Sequence, residues 1–177
     1  MARKRDIGTE ILEGIREIKQ GVIGRVVTFS PITETRALDP KVLPLDPVLR
    51  RAVSADANNA RDAWGVLGMM ANYDRPEAGV FLLGLMRVHG DDLVRMAVLV
   101  RAVSSFPSRA AAEALKGEFY RVASTPATRT YLNEVLRSLT QLPSHLSCEA
   151  LETLACDNNL SGKWRRRFEE AARRQNS

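Results

Sequence analysis

The stretch Leu99-Val-Arg-Ala-Val-Ser-Ser-Phe-Pro-Ser-Arg109 returns further along the chain as Val135-Leu-Arg-Ser-Leu-Thr-Gln-Leu-Pro-Ser-His145. The two stretches are 36 residues apart, so that Pro107 falls on Pro143. Apolar residues, arginine and the Pro-Ser turn keep their order in both copies. The chain is therefore built from an internal repeat, and this repeat decides the predicted fold.

The repeat extends in both directions from these two copies. On the C-terminal side, Glu113-Ala-Leu115 falls on Glu149-Ala-Leu151 at the same offset. On the N-terminal side, Met86-Arg-Val88 falls on Tyr120-Arg-Val122 at an offset of 34. A period of roughly 34 to 36 residues that holds two helices is typical of an α-solenoid.

Apolar residues at helical spacing follow one another through this part of the chain, separated by short turns rich in Gly, Pro, Ser, Asp and Asn. Short connections make consecutive helices antiparallel neighbours. We predict an all-α fold: a short HEAT-like helical-repeat solenoid of about three helix pairs, preceded by an N-terminal helix-strand arm. The helices are expected over residues 57–72, 76–89, 92–105, 109–123, 127–141, 146–156 and 161–174. Asp91, Ser108 and Ser144 are residue types expected to cap the N-termini of such helices.

The composition is that of an ordinary globular protein. The chain has 177 residues, 45% of them apolar and 27% charged, with a net charge of +5. The sequence has no run of 18 apolar residues, so no membrane span is predicted. It has no apolar segment after the basic N-terminus, so no signal peptide is predicted. We expect a cytoplasmic protein without a membrane-spanning segment.

The N-terminal arm, residues 1–36, lies outside the repeat. Residues 8–20 carry apolar residues three to four apart, which predicts one amphipathic helix, and β-branched residues predict a strand over 24–30. A single strand cannot satisfy its own backbone groups, so this arm is expected to pair with a partner protein, a second copy or the repeat domain. The residues expected to make that contact are apolar: Ile11, Ile15, Ile18, Val26, Val27 and Phe29.

The run Asp6-Ile-Gly-Thr-Glu-Ile-Leu-Glu-Gly-Ile-Arg-Glu-Ile-Lys-Gln20, followed by Gly24-Arg-Val-Val-Thr28, resembles the leader of bacterial helix-turn-helix antitoxins. The resemblance implies a helix and strand that lie beside a toxin or a dimer partner. In that family a DNA-binding helix-turn-helix follows the leader. Here a Pro-rich linker, residues 37–56, and then the repeat domain, residues 57–177, follow Ser30, so the DNA-binding role of that module is not carried over.

The histidines and cysteines of the chain lack the neighbouring residues that a catalytic or metal site would need. We expect His89, at a turn, and His145, at a helix start, to be surface residues, because no nucleophile and carboxylate accompany them. Cys148 and Cys156 are eight residues apart on one predicted helix, too far for a disulfide and without further metal ligands, and core packing is expected for both. We therefore predict no enzyme activity, no cofactor and no metal.

Basic residues concentrate near the C-terminus. Six cations stand against two carboxylates between Leu160 and Ser177. Such a segment is expected either to form solvated salt bridges or to bind phosphate. The basic residues considered as nucleic-acid contacts are Arg3, Lys4, Arg5, Arg165, Arg166, Arg167, Arg173 and Arg174.

Two functions therefore remain open. The first is a non-enzymatic protein-interaction module or scaffold, an antitoxin-like or accessory regulatory protein whose arm docks a partner or a second copy. The alternative is a nucleic-acid-binding solenoid that uses the Arg-rich C-terminal helix and the basic N-terminus. Extended surfaces for binding are the usual product of solenoid architecture.

Overall fold

The computed structural model describes residues 39–176, and this part of the chain consists of helices joined by turns, without a β-strand. The N-terminal arm, with its predicted helix and strand, lies outside the described residues. The eight helices of the described part are α1 (Leu45–Ala52), α2 (Ala57–Asn72), α3 (Pro76–Val88), α4 (Leu93–Val103), α5 (Arg109–Arg121), α6 (Arg129–Gln141), α7 (Ser144–Cys156) and α8 (Gly162–Gln175).

The predicted helices of the repeat part are confirmed, with bounds that differ by at most two residues at either end. The segment predicted as a Pro-rich linker contains α1, which packs on α2. Its closing carbonyl, that of Ala52, accepts a hydrogen bond of 2.9 Å from Nε1 of the buried Trp64. A carbonyl before α1, that of Leu43, accepts a hydrogen bond from Arg75 at the start of α3.

Polar side chains define where several helices begin. Ser108 caps α5 as expected, since its Oγ accepts a hydrogen bond from the backbone N–H of Ala111. At α4 the cap is Asp92 rather than the predicted Asp91, because the helix begins one residue later, at Leu93. The expected cap Ser144 is instead the first residue of α7. A side-chain oxygen at these positions satisfies N–H groups that have no partner inside the helix.

The helices from α2 onward form two rows. In the even row α2 contacts α4, α4 contacts α6, and α6 contacts α8. In the odd row α3 contacts α5 and α5 contacts α7. Each helix of the odd row also packs on the helix that follows it along the chain. Consecutive repeats therefore lie side by side.

The core lies between the two rows and uses the repeat directly. Four buried residues of α4 fall, at the offset of 36, on four buried residues of α6. The pairs are Met96 and Leu132, Leu99 and Val135, Val100 and Leu136, and Val103 and Leu139. Equivalent positions of α4 and α6 therefore point into the core, and neighbouring helices cover the apolar stripe of both in the same way.

Two glycines allow a close approach between helices. A Cβ at Gly68 on α2 would lie 2.9 Å from the carbonyl oxygen of Ala102 on α4. A Cβ at Gly79 on α3 would lie 2.4 Å from the ring of Phe106. Gly65, also on α2, has nothing within 4 Å of the same position. Of the two glycines in the Gly65-Val-Leu-Gly68 segment, Gly68 is the one that serves helix packing.

One buried carboxylate joins three segments of the chain. Glu118 on α5 is only 7% exposed. It accepts hydrogen bonds from Arg121 Nε at 3.0 and 3.1 Å, and from the Tyr131 hydroxyl of α6 at 2.5 Å. Nη1 of Arg121 donates to the carbonyl of Gly90, in the turn between α3 and α4. All three groups are satisfied by one another, as a buried charge requires.

The environment of Tyr131 favours the neutral phenol. Burial, and then the hydrogen bond to Glu118, raise the pKa of Tyr131 above its ordinary value. A group whose pKa is raised by folding contributes stability that is present below its unfolded pKa and is lost at higher pH. For a tyrosine the loss begins at about pH 10.

Replacing Gly68 with Ala is expected to destabilise the protein by about 1 to 3 kcal/mol, because the new methyl group meets backbone that belongs to another helix. Gly65→Ala is the matched control on the same helix. It should leave stability unchanged or raise it by up to about 1 kcal/mol, since Ala favours helix over Gly and the position is open. Urea denaturation followed by circular dichroism compares the two. Equal effects would show that α2 and α4 do not approach closely at Gly68.

Tyr131→Phe is expected to lower the free energy of unfolding by about 1.5 to 3 kcal/mol near neutral pH, the value of a hydrogen bond to a charged group. The difference in the free energy of unfolding between the variant and the native chain should shrink as the pH rises above about 10. Only the native chain has a tyrosine at position 131 that ionises on unfolding, and this ionisation lowers its stability. Tyr73→Phe, at an exposed tyrosine, is the control. A deficit that stays constant from neutral to alkaline pH would contradict the role of this hydroxyl.

Candidate functional site

The apolar residues predicted to bind a partner and the three basic residues near the N-terminus are not among the described residues. They are Ile11, Ile15, Ile18, Val26, Val27 and Phe29, and Arg3, Lys4 and Arg5. Their roles stay predictions. The five remaining basic residues of the predicted site lie on α8, and the structure separates them into two groups.

Three of the five do not face the same surface as the others. Arg165 is half-buried and donates a hydrogen bond of 2.9 Å to Oδ1 of Asn158. Arg173 forms an ion pair of 2.6 Å with Glu169 one turn earlier. Arg166 is exposed. The predicted cluster of adjacent arginines therefore does not form one site, because consecutive residues of a helix point in different directions.

The other two, Arg167 and Arg174, line a groove between α6 and α8. The groove has two adjoining stretches with volumes of about 340 and 460 Å³, and Asn133 and Arg167 line both of them. Five cations and one carboxylate, Glu170, line it. The cations, which define what we name the basic groove, are Arg129, Arg137, Lys163, Arg167 and Arg174.

Helical spacing explains why these side chains share the groove. On α6, Arg129 and Arg137 are eight residues apart, about 12 Å along the axis. On α8, Lys163, Arg167 and Arg174 follow at spacings of four and seven residues. Residues at such spacings lie on one face of a helix. The two facing rows of cations come from helices that are neighbours only in the folded chain.

The cations of the basic groove are not neutralised by carboxylates. Among residues 39–176, no acidic side chain forms an ion pair with any of the five, and Glu170 has no ion-pair partner. Elsewhere in the described part, arginines do form such pairs. Arg109, for example, pairs with Glu149 at 3.2 Å. The groove therefore presents a net positive charge to solvent.

Arg167 is the most constrained of the five cations. Its guanidinium carbon lies 4.4 Å from the ring centroid of Trp164. Its Nη1 donates a hydrogen bond of 2.6 Å across the groove to Oδ1 of Asn133 on α6. The Trp164 ring is 6% exposed, and its Nε1 donates to Ser124 at 2.8 Å. Ring stacking and a hydrogen bond thus hold one guanidinium in the middle of the groove.

The neighbouring groove between α4 and α6 shows what packing alone requires at these positions. Its volume, about 330 Å³, is similar to that of the smaller stretch of the basic groove, and it is lined mainly by apolar and small residues. Its single cation, Arg101, pairs with its single carboxylate, Glu134, at 2.7 Å. That hydrogen bond raises the pKa of Arg101 above its ordinary value. The one cation and the one carboxylate that line this groove neutralise each other, so the groove carries no net charge.

The two grooves are equivalent under the 36-residue repeat. Arg101 and Glu134 fall on Arg137 and Glu170, which line the basic groove without forming an ion pair. The other equivalent positions change from uncharged residues to polar or basic ones. They change from Leu93 to Arg129, Ala97 to Asn133, Ala127 to Lys163 and Tyr131 to Arg167. The α4–α6 groove shows that helices pack with mainly uncharged residues at these positions. Helix packing therefore does not require the positive charge of the α6–α8 groove.

A third groove, of about 580 Å³, lies between α3 and α5. Apolar side chains such as Leu83 and Met86 contribute to its walls, and much of its charge belongs to the Glu118–Arg121 pair already described. It brings together no comparable row of cations. The basic groove is therefore the surface whose chemistry is most specific.

The remaining candidates from the sequence contribute little to a site. His145 is exposed as expected, whereas His89 is half-buried, with its ring centroid 5.7 Å from that of Trp64. The prediction of core cysteines is wrong for Cys156, which is exposed, and Cys148 is half-buried with its Sγ 3.2 Å from Asn176 Oδ1. Both cysteines lie on α7, the last helix of the odd row among residues 39–176, so no further helix of that row covers them in this part of the chain.

Within the described residues, no group of His, Cys, Asp and Glu is placed to hold a metal ion. No helix of this part is both long and apolar enough to cross a membrane. Comparison with known proteins gave no matching family model, no similar curated protein and no similar solved structure.

Sequence reasoning missed Arg129, Arg137 and Lys163 as members of the site. The repeat contained a signal for them, because two of these cations fall on Leu93 and Ala127 in the preceding copy. This change in charge is not seen when only the buried positions of the two copies are compared. The exposed positions are the ones at which the copies differ in charge.

Proposed function

We propose that this chain is a HEAT-like helical-repeat protein that binds the phosphate backbone of nucleic-acid duplexes through the basic groove between α6 and α8. The observation that carries the proposal is the presence of five cations on two facing helices, none ion-paired among residues 39–176. Clustered cations that neutralise phosphates supply most of the affinity of sequence-independent binding.

The side chains of the groove favour a duplex over a single strand. Proteins that bind single strands combine cations with exposed aromatic rings on which bases stack. The aromatic residue of this groove, Trp164, is buried and its ring is covered by Arg167. A duplex also carries a denser charge, one phosphate per about 1.7 Å of its axis.

The same side chains argue against an acidic membrane as the ligand. Membrane-surface helices combine cations with exposed apolar residues that insert between lipids. The apolar residues of the basic groove are Trp164 and Leu136, which are buried, and Ala171, which is half-buried. The groove thus offers charge and hydrogen-bond donors without an apolar surface for insertion.

Contacts of this kind select no base sequence, because phosphates are the same at every position. The expected role is therefore that of a sequence-independent duplex-binding protein or an accessory factor. Partner docking by the N-terminal arm is a separate proposal that is compatible with this one. We put duplex binding first, since the described residues include the basic groove but not the arm.

The proposal is tested with the purified full chain and a fluorescent DNA duplex about two helical turns long. We expect binding that weakens with salt, with a log–log slope of about −4.5 if all five cations contact phosphates. The variant Arg129→Leu with Lys163→Ala carries the residues of the α4–α6 groove. It should weaken binding by about 10- to 100-fold and reduce the slope by about two.

Arg51→Ala with Arg61→Ala is the matched control, because it removes the same charge from exposed residues of α1 and α2. Its affinity should stay within about twofold of the native value, since these residues contact no phosphate in the proposed complex. Equal losses of duplex affinity in both variants would show that binding depends on the net charge of the protein and not on the basic groove. Binding to anionic vesicles without binding to the duplex would replace the proposal with a membrane ligand.

Glu170→Gln gives a prediction of opposite sign. Glu170 is the one carboxylate of the basic groove and repels phosphate. Removing its charge is expected to tighten duplex binding by about 2- to 5-fold at low salt, as for one unit charge near the surface. Glu152→Gln, at an exposed carboxylate of α7, is the control. A weaker complex after Glu170→Gln would mean that this carboxylate contacts the ligand favourably.

A further inference from the structure

We infer, on the basis of the duplex-binding function proposed above, that Arg167 is the residue that anchors one phosphate in the basic groove. Trp164 and Asn133 act as positioning residues for its guanidinium. The other four cations then attract the backbone mainly as point charges. This assigns different work to residues that carry the same charge.

The geometry of Arg167 is set before any ligand arrives. The Trp164 ring, 4.4 Å away, restricts the plane of the guanidinium, and Asn133 restricts its rotation through the 2.6 Å hydrogen bond. A flexible arginine loses side-chain entropy when it binds, which reduces the affinity gained from the contact. A guanidinium that is already fixed loses less. Its planar fork matches two oxygens of one phosphate.

The partners of Arg167 hold it without neutralising it. Both Trp164 and Asn133 are uncharged, whereas Arg121 in the buried cluster is held by the carboxylate of Glu118. Asn133 accepts from one of the five N–H donors that a guanidinium carries. The charge and the other donors of Arg167 therefore remain for a ligand. Cation–π contact with a ring leaves the cation charged, unlike an ion pair.

Packing does not require an arginine at this position. The equivalent residue of the preceding repeat is Tyr131, whose hydroxyl turns inward to the buried Glu118. Asn133 likewise replaces Ala97, so the residue and its hydrogen-bond partner change together. Both changes fall where the two stretches of the groove meet, a position that a phosphate in either stretch can reach.

The test uses substitutions that keep the charge. Arg167→Lys removes the planar fork and the stacking but leaves one positive charge, so it should weaken binding of the DNA duplex about tenfold, the equivalent of one hydrogen bond to a charged group. The salt slope should stay unchanged, because the number of cations is the same. Arg174→Lys, in the same groove, is the matched control and should bind within about twofold of the native chain.

A second variant probes the positioning directly. Asn133→Ala removes no charge and introduces the residue found at Ala97, so the helix is expected to fold normally. It should weaken duplex binding by about 3- to 10-fold with an unchanged salt slope, since the loss is one of orientation. Thermal denaturation of both variants confirms that the loss does not come from unfolding.

The inference would be overturned if Arg167→Lys bound like the native chain, or lost no more than Arg174→Lys. It would also fail if Asn133→Ala had no effect on affinity. Neither result would affect duplex binding itself, which the charge-removing variant Arg129→Leu with Lys163→Ala tests separately. A native chain that did not bind the duplex would overturn the proposed function and this inference together.

Discussion

The packing of α4 against α6, and of α6 against α8, is the constraint on which the rest of the described structure depends. The apolar positions of α4 that meet the core are the same positions that α6 uses one repeat later, as Val100 and Leu136 illustrate. Burial of such side chains stabilises by about 1.5 to 3 kcal/mol each. Once this stripe is satisfied, the spacing and orientation of the even row follow, and the grooves between its helices are formed as a consequence.

Because the core needs only the inward positions, the outward edges of the same helices are free to carry different chemistry. The α4–α6 groove is closed by one ion pair, whereas the α6–α8 groove collects five cations around a single carboxylate. Placing like charges close together costs stability through repulsion. Among residues 39–176 no ion pair to these five cations offsets that cost, and we propose that a bound phosphate backbone does.

The polar contacts of the described residues differ in whether they leave a charge without a counter-ion, and this difference follows their burial. Glu118, Arg121 and Tyr131 satisfy one another, and the carboxylate neutralises the guanidinium. Arg167 is also held on two sides, yet by uncharged groups and beside open space. A buried charge must be paired to be stable, whereas a half-exposed cation can be oriented and still remain available.

Sequence alone determined helices α2 to α8, their order and most of the inward positions, because helical periodicity and capping are properties of neighbouring residues, whereas it predicted a linker where α1 lies. Trp164, Phe168 and the stripe from Tyr131 to Leu139 lie where periodicity places them. The tertiary structure decided which cations share a surface. Arg129 and Arg167 are distant in the chain and meet only because α6 and α8 pack together, whereas adjacent Arg165 and Arg166 are separated by the turn of the helix. Contacts between helices depend on how their buried faces fit, which no local pattern encodes.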